Sequence, residues 1–132
     1  MLRSSLRNLN KFKNINITTE QKDIIDKLIR VDHAGELGAN CIYAGQMYAT
    51  KKAGPGRSDE IELVQHMWDQ EKHHLSTFNK LIDDFRVRPT VLSPVWIAAG
   101  WFMGASTTAL GKQSAMACTE AVETVIGEHY DE

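Results

Sequence analysis

Apolar residues recur at helical rather than strand spacing along almost the whole chain. The pattern predicts a first helix from Thr19 to about Ala53, capped by Thr18 or Thr19 with Glu20 in its first turn. The Gly-Pro-Gly run at 54–56 stops it. A second helix is expected from Ser58, with Asp59 and Glu60 behind the cap, to about Arg86. "RPTVLSP" at 88–94 breaks the pattern again, and a third helical region is expected to end near Tyr130. No strand alternation, low-complexity tract or internal repeat interrupts this reading. The expected class is all-α, a helical bundle.

Composition narrows the picture. The 132 residues are 42% apolar and 24% charged, an ordinary globular balance with enough chain for one core. A formal net charge of −2 argues against a nucleic-acid surface. The charge is uneven, however. Residues 1–19 hold four basic side chains and no acidic one, with Leu2, Leu6, Leu9 and Phe12 at helical spacing and Ser4 and Ser5 beside Arg3 and Arg7. This is the look of a mitochondrial presequence, with a disordered basic tail as the plain alternative. Residues 20–132 then form the working domain and carry a net charge of −6. Cys41 and Cys118 lie far apart in apolar contexts without Cys-x-x-Cys spacing, so buried free thiols are expected rather than a disulfide.

Residues 89–111 carry no charge and include "PVWIAAGWFMGA". A run of this length admits a membrane span, but its Pro, Gly, Ser and Thr content and the close pair Trp96 and Trp101 suit a membrane surface better. The three readings are an apolar segment touching a membrane surface, plain buried core, and a span.

The chemistry centres on "QEKHHL", residues 70–75. Glu71 and His74, three apart, share a helix face. Around them at positions three, four and seven from Glu71 stand Val64, Met67, Trp68, Leu75 and Phe78, all apolar. A carboxylate on such a stripe is costly unless something pairs with it. His73 has Asp69, Gln70, Ser76, Thr77, His66 and Lys80 as neighbours, and so is expected in water. The motif alone is weak, because about 0.3 chance matches arise in a chain of this composition. Its surroundings strengthen it.

Glu36, among Ala34, Gly35, Leu37, Gly38 and Ala39, is a candidate partner. In an antiparallel hairpin about Pro55, Glu36 and Glu71 stand at heights of roughly 28 and 24 Å, so the two carboxylates can meet. An ordinary exposed carboxylate is the competing reading of Glu36, kept open by Asp32 and Asn40 four residues either side. Near the C-terminus Glu120 and Glu123 have comparable settings, and spacing does not choose between them. Carboxylates with imidazole suit iron or manganese rather than structural zinc.

Together, "RVDHAGELGAN" (30–40), "IYAGQM" (42–47), "MWDQEKHHL" (67–75), "FRVRPTVLSPVW" (85–96) and "GKQSAMACTEAVE" (111–123) resemble the demethoxyubiquinone hydroxylase family of coenzyme Q biosynthesis over about residues 22–130. The resemblance implies a ferritin-like di-iron bundle, peripheral on the matrix side of the mitochondrial inner membrane. It implies a monooxygenase that adds one hydroxyl to a methoxy-methyl-polyprenyl benzoquinol, using iron, O₂ and NADH-derived electrons. The implied partners are the polyprenyl benzoquinol, the inner-membrane surface, a lipid-binding accessory protein and other ubiquinone-biosynthesis proteins, with no nucleic acid. The ligands carried over are Glu36, Glu71, His74 and Glu123, the last chosen over Glu120 by "AVE". Residues 89–111 become the surface that reaches the quinone tail.

The family has a second Glu-x-x-His on a later helix, and these 132 residues hold one such motif. The expectation is therefore a C-terminally truncated chain, a partial bundle over 20–132 that binds at most one metal well and has little hydroxylase activity. Two other functions compete. A non-enzymatic quinone- or lipid-binding helical subunit would tolerate Glu36→Ala and His74→Ala. A ferritin-like iron-binding bundle would bind metal but no quinone.

Overall fold

The computed structural model describes residues 17–131, with side chains through residue 127. Four helices are present among them and no strand: α1, Thr19–Lys52; α2, Ser58–Phe85; α3, Ser93–Ala109; and α4, Lys112–Asp131. A 3₁₀ turn, Pro55–Arg57, joins α1 to α2. The expected leader lies outside the described residues except for its last three. Those three lead into α1, where Thr18 and Gln21 form a reciprocal capping box.

The first two helices match their expected bounds to within a residue. The region expected as a third helix is two helices. Gly111 takes φ +130°, a conformation that favours glycine, and the chain turns there between α3 and α4. The α2 C-terminus is closed by Arg86 in the left-handed region, its N–H bonded to Asp83 O.

α1 is the central helix and packs against the other three. Its contact with α3 is very close. A Cβ added at Gly45 would land on the Trp101 carbonyl oxygen, and one added at Gly104 would land on the Ile42 carbonyl oxygen. Only a missing side chain on each helix lets the two backbones approach this far. At the hairpin end, Arg57 pairs with Glu60 through two bonds of 2.8 and 2.6 Å and donates a third to Thr108 O, tying the turn to α3.

The α1–α2 interface has two apolar clusters. Ile29, Leu81, Ile82 and Val87 form one, with Ile25, Phe78 and Phe85 against them. Tyr43, Met47 and Val64 form the other, with Ile61, Met67 and Trp68. Glu36 lies seven residues from both Ile29 and Tyr43, and Glu71 seven from both Val64 and Phe78. Two helical turns on one stripe put both carboxylates between the clusters. The apolar flanks fix the helix pair, so the polar middle is held in place rather than formed by its own attractions.

One face of α3 is core: Gly100, Gly104 and Thr108 are buried. The rest is not, since Val95, Trp96, Ile97, Phe102 and Met103 are exposed, as are Val91 and Leu92 just before the helix and Leu110 after it. No helix among the described residues is long and apolar enough to cross a membrane. The plain-core reading of 89–111 covers only one side of the segment. Cys41 is buried and Cys118 half-buried, both free thiols as expected.

Candidate metal centre

Glu36, Glu71 and His74 each offer a ligand atom within 4.8 Å of the others. Glu36 is 1% and Glu71 3% exposed, so the competing reading of Glu36 as a surface carboxylate fails. His74 Nδ1 lies 3.9 Å from Glu36 Oε2. His74 is half-buried and His73 exposed, the orientation expected from their neighbours. Asn40 is not a surface marker either: its Oδ1 accepts a 2.8 Å bond from the Trp68 indole N–H.

The electrostatics of this group are unfavourable without a cation. Glu71 is pushed up to about 10, first by burial, then by its hydrogen bond to Glu36, the Glu36 charge and the Glu123 charge. Among the described residues, Glu71 Oε1 has no hydrogen-bond partner. Two interior carboxylates side by side, one with an open oxygen and an imidazole at the rim, form a donor set that fits a divalent metal of the iron or manganese class. A bound cation would reverse the cost by attracting both carboxylates.

The fourth candidate is placed differently. Glu123 on α4 is exposed and stands outside this group of three, but its Oε1 accepts a 2.9 Å bond from the Tyr43 O–H. Burial, followed by the Glu123 carboxylate it bonds, holds the Tyr43 phenol well above its usual value. Glu120 is also exposed, and its backbone carbonyl accepts from Thr124. Of the two, Glu123 is the one that meets α1.

Sequence reasoning missed three interior polar residues. Tyr43 was marked by its place seven residues after Glu36, on the same stripe. His33, three before Glu36, is buried with one ring nitrogen 2.8 Å from Asn79 Oδ1 and Nδ1 without a partner among the described residues. Gln46 is fully buried and donates to Ala115 O at 3.1 Å and Thr119 Oγ1 at 3.0 Å. Nothing in the pattern separated His33 and Gln46 from ordinary helix-surface residues, because their partners lie on other helices.

A second feature adjoins the site. An apolar cavity of about 450 Å³ opens between α1, α3 and α4. It is lined by Gly35 and Ala39 beside Glu36, Val122 beside Glu123, and Trp96 and Met103 from α3.

The family model described as "Ubiquinone biosynthesis protein COQ7" matches residues 23–132. The chain belongs to this family. The all-α, ferritin-like class expected from the motifs stands with it. Among curated COQ7-family relatives, the Mus musculus protein named "NADPH-dependent 3-demethoxyubiquinone 3-hydroxylase, mitochondrial" is 58% identical over 107 residues, 81% of this chain and 47% of its own. The Saccharomyces cerevisiae "5-demethoxyubiquinone hydroxylase, mitochondrial" is 49% identical over 116 residues, 88% of this chain and 48% of its own. The Rhodospirillum rubrum "3-demethoxyubiquinol 3-hydroxylase" is 48% identical over 107 residues, 81% of this chain and 49% of its own. The chain spans about half the length of the curated COQ7-family relatives it matches. The mouse name carries NADPH, where the family resemblance implies NADH-derived electrons.

Proposed function

We propose that this chain supplies one half of the metal centre of a demethoxyubiquinol hydroxylase. The observation that carries the proposal is the meeting of Glu36, Glu71 and His74 in the apolar interior of a COQ7-family chain. Glu36, Glu71 and His74 would hold iron, with Glu123 approaching from α4. Bound iron supplies the redox activation of O₂ that hydroxylation of a benzoquinol ring requires.

The chain's own residues bind, exclude water and position. The two apolar clusters keep solvent from the carboxylates along the α1–α2 seam. Tyr43 holds its proton toward Glu123. The cavity between α1, α3 and α4 offers an apolar channel for a polyprenyl tail beside the helices that carry Glu36 and Glu123. The exposed apolar face of α3 supports peripheral contact with a membrane, from which such a substrate must be drawn. The relatives' names support a mitochondrial setting, and the reading extends it to the matrix side of the inner membrane. A reduced nicotinamide nucleotide is the proposed electron source, and a lipid-binding accessory protein and other ubiquinone-biosynthesis proteins are the proposed partners.

These 132 residues hold one Glu-x-x-His where the carboxylate-bridged di-metal template uses two, so this stretch by itself is expected to bind about one iron. Anaerobic loading with Fe²⁺, followed by metal analysis, tests this directly. About one iron in the wild type and none in Glu36→Ala or His74→Ala supports the reading. Iron retained in both variants overturns the site. Two irons per wild-type chain overturn the half-site.

A further inference from the structure

Beyond the ligand set, we infer that Tyr43 is a positioning residue that aims the Glu123 carboxylate at the Glu36–Glu71–His74 group. The inference rests on the metal reading above and extends it to a residue that offers no metal ligand of its own in this arrangement. Glu123 lies on an exposed part of α4, where an unrestrained Glu side chain samples several rotamers. Among the described residues, a single directional contact restrains it, the 2.9 Å bond donated by the Tyr43 O–H to Oε1. That donor is itself fixed. The Tyr43 ring is 3% exposed and packs with Met47 and Val64. Tyr43 stands two turns from Glu36 on α1, and its packing partner Val64 stands two turns from Glu71 on α2. The phenol therefore projects from the same seam that holds the carboxylates. The bond occupies Oε1 and leaves Oε2 for a cation, as an outer-shell donor does when it orients a ligating carboxylate.

A structural role competes: Tyr43 could serve only to dock α4. The placement of Gln46 argues against this. Its amide already fastens α4 to α1 through Ala115 O and Thr119 Oγ1, on the N-terminal side of Glu123. Removing one phenol oxygen should then leave the helix docked and the carboxylate loose.

The test uses the full 132-residue chain and Co²⁺ alone, whose visible absorption reports coordination geometry. Four proteins are compared with the wild type: Tyr43→Phe, Glu123→Gln, the double variant, and Gln46→Leu. Tyr43→Phe is expected to weaken Co²⁺ binding about 10-fold and to change the absorption bands as Glu123→Gln does, with little change in metal-free melting. The double variant should bind no more weakly than Glu123→Gln alone, because Tyr43 acts through Glu123. Gln46→Leu should lower the melting temperature but keep the wild-type bands. Wild-type affinity and bands in Tyr43→Phe overturn the inference, as do losses that multiply in the double variant. A Gln46→Leu spectrum that matches Tyr43→Phe also overturns it, since docking would then be the cause. A wild type that takes up no Co²⁺ overturns the metal reading itself, a result distinct from the other three.

Discussion

At the scale of single residues, Glu71 makes the sharpest claim. Its carboxyl is pushed up to about 10 by burial and by Glu36, while the unfolded chain releases that proton near the ordinary carboxylate value. Between those limits the folded state binds more protons than the unfolded one. Metal-free stability should therefore be full at low pH and fall as pH rises toward about 10. Glu71→Gln should flatten that slope and raise the melting temperature at pH 8 by about 4 °C or more, the worth of roughly 1 kcal/mol in a domain of this size. The same variant should lose metal binding, so stability and binding move in opposite directions. Thermal melts across pH, with and without Fe²⁺, check both. The two adjacent histidines give a second contrast. His74→Ala should weaken Fe²⁺ binding by more than the about 10–100-fold typical of an outer-shell change. His73→Ala, on the solvent side, should leave a binding titration unchanged.

At the scale of elements, the glycines of α1 and α3 separate close approach from idle flexibility. Gly104→Ala drives a methyl into the Ile42 carbonyl and should cost about 1–3 kcal/mol or more. Gly38→Ala meets nothing within 4 Å and should stabilise α1 by about 0.5–1 kcal/mol. Denaturant melts of the two variants should therefore shift in opposite directions. These helices also show what the sequence could reveal. The bounds of α1 and α2 were legible because caps, Gly-Pro-Gly and periodicity agreed, and the side chosen for His74 followed from the residues around Glu71. The hairpin heights correctly brought Glu36 to Glu71. The turn at Gly111 was not legible, because one glycine in an uncharged, Gly- and Ser-containing run carries no signal for a positive φ. The Tyr43–Glu123 bond was illegible for a different reason. It joins residues 80 apart, and no local pattern records which helix faces which.

At the scale of the whole molecule, the apolar outer face of α3 sits on a body whose residues 20–132 carry a net charge of −6. Electrostatics would not draw such a body to an anionic bilayer, so the membrane contact proposed for α3 would have to come from Phe102, Met103, Val95 and their neighbours. Co-sedimentation with zwitterionic vesicles should hence vary little with salt. Phe102→Ser with Met103→Ser should release the chain by about 10-fold or more, given the roughly 1.5–3 kcal/mol that burying each side chain provides, and leave its melting unchanged. The glycine crossing has a further consequence. With Gly45 against Trp101 and Gly104 against Ile42, α3 cannot roll or slide along α1 without a backbone collision. The helix that carries the apolar face and the helix that carries Glu36 then turn as one rigid piece, as a keel turns with its hull. If α3 lies in a lipid surface as proposed, the bearing of the carboxylate seam relative to the membrane normal is set at the same moment.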